Sequence, residues 1–132
     1  MTNGGFEVGD CTGWQKVFKA DLRGEKCQVD RSVRHDGAAA ACLGGDEVNH
    51  GRRLEQLVPV KPGARYILGF WFKIDAPGKK QRVMLVEANR DQKYVQDRKV
   101  HTMDLAPTGG EWKTLSYAVE TSPETAFLIL RL

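Results

Sequence analysis

Residues 64–74 read ARYILGFWFKI, and this stretch decides the fold class. Aromatic and β-branched side chains dominate it, and it is entered through VKPGA, whose Pro62-Gly63 pair punctuates the chain. Side chains alternate across a strand, so Tyr66, Leu68, Phe70 and Phe72 share one side, and Ile67, Gly69, Trp71 and Lys73 share the other. The first set is the better core face. The second turns a tryptophan and a lysine outward, beside a glycine that leaves room next to them.

Working outward, the same signals recur. QRVMLVEA (81–88) follows the turn APGKK, and KYVQDRKVHTM (93–103) follows NRDQ. WKTLSYAVET (112–121) follows PTGGE, and TAFLILRL (125–132) follows SPE. Upstream, RRLEQLVPV (52–60) alternates with Leu54, Gln56, Val58 and Val60 on one side, opposed by Arg53, Glu55 and Leu57. KCQVD (26–30) and AAAACL (38–43) read as two more strands around the turn RHDG. The alanine run is the best local candidate for a helix, but it is short and ends in Gly-Gly, so we read it as a tightly packed strand. Strands separated by turn signals at this rhythm predict an all-β fold, an antiparallel β-sandwich or jelly roll.

At 132 residues the chain is read as a single domain, 1–132, with enough material for a core. A formal charge of +3 allows weak attraction to anions without requiring nucleic acid, and the basic clusters are interleaved with acids. No apolar run reaches the roughly 18–20 residues of a membrane span, and the first ten residues lack the apolar segment of a signal peptide. Met1 is thus a native start or the start of a fragment. Cys11, Cys27 and Cys42 form an odd set, so at least one thiol is free or pairs with another chain.

NGGFE near the start, Gly-Trp a few residues on, VDRSVRHDGAAAACL, LEQLVPVKPGARYILGFWFK, GGEWKTLSYAVET and TAFLILRL follow one another in an order with a precedent. The whole chain resembles the carbohydrate-binding modules of the galactose-binding-like jelly-roll type, especially those attached to xylanases and other glycoside hydrolases. The resemblance implies a two-sheet sandwich with a ligand cleft on a concave sheet or at loop tips. It implies a polysaccharide ligand, a fused catalytic domain, and an extracellular or cell-surface location. It also implies that Phe6 fills the sandwich edge with Trp14 packed nearby. A structural calcium is often present, and Glu7 would support it, with Asp36 in the RHDG loop as a second oxygen source. The sequence departs from the family pattern at its end. A closing strand that pairs beside the first and donates an acid to calcium is missing after Leu132, which puts the calcium in doubt and leaves a sheet edge open to a dimer contact.

Sugar binding needs an aromatic face for the C–H side of the ring and fixed polar groups for the hydroxyls. Trp71 is the first candidate platform, with Arg53, Glu55 and Lys73 as polar neighbours; the alternative is a Trp71 covered by a loop. His50, in the loop GDEVNHG, offers hydrogen bonds, Tyr94 a second ring, and Arg131 a fork for hydroxyls or a uronic carboxylate. Trp14 and Trp112 are read as core. Cys27, His35, Cys42 and His50 lack zinc-knuckle spacing, and no hydrolase, zinc-protease or phosphate-loop motif occurs. Glu47, Glu55 and Glu87 could in principle form a glycosidase pair, but nothing in the sequence singles out two of them. The expected function is non-catalytic polysaccharide binding. The alternatives are a structural or protein-interaction jelly roll without sugar binding, and a small lyase or hydrolase on the same fold.

Overall fold

The computed structural model describes residues 4–17, 26–44, 53–75, 81–95 and 99–132, with the backbone alone at 16–17, 26–28 and 44. Among these are nine strands: β1 (Gln15–Val17), β2 (Lys26–Asp30), β3 (Ala40–Gly44), β4 (Arg53–Pro59), β5 (Arg65–Phe72), β6 (Gln81–Ala88), β7 (Val100–Leu105), β8 (Lys113–Glu120) and β9 (Phe127–Arg131). No helix occurs among the described residues. The hydrogen-bonded orders are β1-β4-β9-β6-β7, β2-β3 and β5-β8. The fold is an all-β antiparallel sandwich, as the strand rhythm predicts.

The chain forms two compact units, residues 1–56 with 131–132 and residues 57–130. In the first, Phe6 and Trp14 stack with ring centroids 5.4 Å apart, and both are buried. Phe6 takes φ 59°, a left-handed conformation costing a β-carbon-bearing residue on the order of 1–2 kcal/mol. The turn holds it there through Gly9 N donating to Phe6 O at 2.9 Å. Burial of the ring offsets the cost. The exposed Glu7 carboxylate folds back over Gly5 and accepts its amide at 3.2 Å. Leu54 is fully buried, and the buried Gln56 donates to Gly13 O at 2.9 Å.

The second unit layers β6–β7 against β5–β8. Val83 and Leu85 of β6 and Met103 and Leu105 of β7 are buried, and the His101 and Tyr117 rings meet at 5.9 Å. Pro62-Gly63 acts as predicted: Gly63 has φ 63°, and Thr121 Oγ1 accepts the Ala64 amide at 3.0 Å, anchoring the entry to β5. At the far end of β5, the buried Thr108 accepts the Ile74 amide through Oγ1 at 3.0 Å.

Two expectations need correction, and one strand, β1, was not read from the sequence. Residues 93–103 are not one strand. Tyr94 bridges Ala88, whereas Val100 pairs with Val86, so two steps along β6 (88 to 86) face six on the partner (94 to 100) and the two pairings are out of step. The link between β2 and β3 is residues 31–39, longer than the RHDG turn, and it opens with Asp30 Oδ1 accepting the Ser32 and Val33 amides. Those bonds, led by the Ser32 hydroxyl, lower the Asp30 pKa. Finally, β1 carries no alternation signal because it is only three residues long.

Candidate functional site

The alternation read in residues 65–72 is realised. Tyr66, Leu68, Phe70 and Phe72 are half-buried, whereas Arg65, Ile67, Gly69 and Trp71 are exposed, with Ile67 at 70% and Trp71 at 46%. Pairing sets Trp71 opposite Thr114, Gly69 opposite Ser116 and Ile67 opposite Ala118. Cross-strand partners lie on one face, so the indole is bordered by small side chains and two exposed hydroxyls. A Cβ at Gly69 would meet only Leu115 O, at 3.9 Å, so glycine here leaves open space and fills no packing need. Lys73 continues the outward series, half-buried, with Nζ 3.8 Å from Asp75 Oδ1. The result is a shallow strip with one large aromatic ring.

A second cluster lies in the first unit. Glu55 Oε1 receives Arg53 Nε at 2.6 Å and Arg131 Nε at 2.7 Å. Gln15 of β1 stands opposite Glu55 in the register. All three contacting atoms are sealed from solvent, and neither Nε points well at the oxygen. The contact is thus an ion pair of two cations on one anion.

A third arrangement is buried. Glu87 is fully buried, and Oε2 accepts the Ser122 amide at 2.8 Å and the Thr125 hydroxyl. Oε1 lies 3.1 Å from His101 Nε2, and His101 Nδ1 lies 3.2 Å from the Tyr117 hydroxyl. Burial alone would raise the Glu87 pKa, but the bonds from Thr125, Ser122 and His101 outweigh it and lower it to about 2. This carboxylate ties β6, β7 and the 121–126 turn together. It is sealed away from any polymer.

The structure brings Arg53, Glu55 and Arg131 together, and sets Trp71 on β5, with Lys73 just past the strand's end. Tyr94 is 44% exposed and follows a turn fixed by Asn89 Oδ1, which accepts the Asp91 and Lys93 amides at 3.0 Å. His50 and Glu47 lie outside the described residues. Trp14 is buried as expected, and Trp112 is half-buried. Cys42 is exposed with a free thiol. Glu7 is bound to its own turn, and Asp36 pairs with His35 at 3.2 Å. Among the described residues no three His, Cys, Asp or Glu side chains converge. Sequence reasoning missed Thr114, Ser116 and the Glu87 network. Register with β5 was the signal for the first two; the third had none.

A model of a carbohydrate-binding domain family matches residues 1–131. The chain belongs to that family. No curated protein sequence matches it. Among solved structures, a family 16 carbohydrate-binding module is similar over 98% of this chain and 85% of its own, at 22% identity and a TM-score of 0.68. The CBM22-2 xylan-binding domain of Paenibacillus barcinonensis Xyn10C is similar over 96% of this chain and 78% of its own, at 19% identity and a TM-score of 0.51. The enzymatically active domain of bacteriophage CBA120 tailspike protein 4 is similar over 99% of this chain, at 15% identity and a TM-score of 0.80, but the chain spans only 18% of it. At these identities the likenesses establish the fold.

Proposed function

We propose that this carbohydrate-binding family member holds a polysaccharide on the outer face of β5–β8, with Trp71 as the stacking platform. The observation that carries the reading is an indole 46% exposed near the end of a well-paired strand. A sugar ring covering roughly 100 Å² of apolar surface there gains about 2.5 kcal/mol at 25 cal/mol per Å². The Thr114 and Ser116 hydroxyls lie beside the indole to take sugar hydroxyls, and Lys73 follows just past the end of β5. Binding needs no preformed cleft: the Gly69 gap lets the ring approach edge-on to the sheet.

Binding is the whole activity in this reading. Glu87 is sealed and held as an anion, so it cannot protonate a glycosidic oxygen, and Glu55 is held by two arginines. The module serves as an outward-facing accessory of a larger carbohydrate-active protein, acting outside the cell and raising local substrate concentration by tethering. A dimer is part of this reading. A concentration-independent monomer in sedimentation velocity would remove it.

The test is affinity electrophoresis of the chain through gels holding a panel of soluble xylans, glucans, galactans and mannans. At least one should retard the wild type, and Trp71→Ala should migrate at least about tenfold less retarded. No retardation by any polymer of the panel would refute the reading.

A further inference from the structure

The outer strip of β5–β8 does not end at the indole. Ile67 lies on the same face as Trp71, four residues earlier, and at about 3.3 Å per residue that is about 13 Å along the strand. It is 70% exposed, more than any other large apolar side chain among the described residues. The exposed Ala118 stands directly opposite it, and cross-strand partners share a face, so the two make one small aliphatic patch. Polar side chains border the patch. Ser116 stands opposite Gly69 on the indole side, and the exposed Arg65 stands opposite Glu120 on the other.

This patch is poor ground for an unmodified sugar. Isoleucine and alanine side chains return no hydrogen bond, so a hydroxyl pressed against them loses its water without compensation. An acetyl cap changes the match. Its methyl group suits an aliphatic surface, and its carbonyl oxygen accepts a hydrogen bond. Arg65 is a long donor one row away on the same face.

We propose that Ile67, Ala118 and Arg65 form a subsite for the acetyl group of an acetylated sugar, within the polysaccharide that stacks on Trp71. The methyl group packs on Ile67 and Ala118, and Arg65 donates to the carbonyl oxygen. The strip therefore selects acetylated polymers over bare ones of the same backbone. An O-acetyl ester and an N-acetyl amide present the same methyl and carbonyl. This inference rests on the sugar-binding reading above and specifies the class of sugar.

The experiment has two arms, both read by titration calorimetry at one ionic strength. In the first, each soluble xylan, glucan, galactan and mannan is offered in two forms, O-acetylated chemically and stripped of esters by alkali. In the second, a chito-oligosaccharide is compared with a cello-oligosaccharide of equal length, which carries a hydroxyl in place of each acetamido group. Wild type should bind the acetylated form at least about tenfold more tightly in at least one arm, and the arm names the linkage. Ile67→Thr keeps a β-branched residue in the strand but sets a hydroxyl against the acetyl group, and should bring that ratio to about one. Val100→Thr, a similar change at an exposed position of β7, should leave it standing. Ala118→Asn replaces the Ile67 variant if the latter loses its cooperative melt. A ratio near one for wild type in both arms, or a high ratio surviving in Ile67→Thr, overturns the inference while sugar binding stands. A surviving ratio with self-association lost in sedimentation velocity gives the patch to a second copy of the chain, and overturns it equally. Binding to no carbohydrate in either form overturns the sugar-binding reading itself.

Discussion

Replacing Glu87 with glutamine should remove a pH-dependent part of the stability. The Glu87 carboxyl is lowered from its ordinary 4.5 to about 2 in the folded chain. As pH falls, the unfolded chain therefore binds the proton first, and the stabilisation drains away between those two values. A displacement of that size corresponds to about 3 kcal/mol in full. About 2 kcal/mol of it is lost between roughly pH 7 and pH 3. Near neutral pH, Glu87→Gln should also cost roughly 2–4 kcal/mol, because hydrogen bonds to a buried charge from Thr125, Ser122 and His101 are weakened. The assay is urea unfolding of both proteins across that pH range, followed by tryptophan fluorescence. The wild-type advantage should shrink steadily as the solution is acidified. An advantage that stays constant with pH would show that Glu87 is not held as an anion, and the network would need another explanation.

Three more outcomes are expected. Phe6→Ala should lower stability by roughly 3–5 kcal/mol, measured by chemical denaturation, because it empties the stack on Trp14 and leaves an alanine at positive φ. Gly69→Val should fold with an unchanged melting temperature, since its Cβ meets open space, yet weaken polysaccharide retardation by crowding Trp71. Calcium added after chelation should leave the melting temperature where it was, because Glu7 and Asp36 are committed locally; a rise of several degrees would show a cage built mainly from carbonyl oxygens.

Much of this molecule was legible because alternation and turn chemistry are local. The outward Trp71, the buried Leu54 and Gln56, and the Pro62-Gly63 entry all follow from near neighbours in the chain. The Phe6–Trp14 contact was legible only through the family resemblance. What was not legible depends on pairing between distant segments. Glu87 reads as an ordinary polar strand residue until residues 101, 122 and 125 close around it. Glu55 and Arg131 are 76 positions apart (131 − 55), and only the pairing of Leu54 with Leu132 brings them together. The offset between the Tyr94 bridge and the pairing of β7 escaped because both segments keep strand-like composition.

The central claim concerns one indole. The chain has three tryptophans, so a two-dimensional NMR titration with a retarding polysaccharide fragment follows three indole N–H signals, assigned by substitution. The account predicts that the Trp71 signal moves progressively to saturation while that of the buried Trp14 stays in place. Saturable binding with the Trp71 signal unmoved would place the sugar elsewhere and contradict the account.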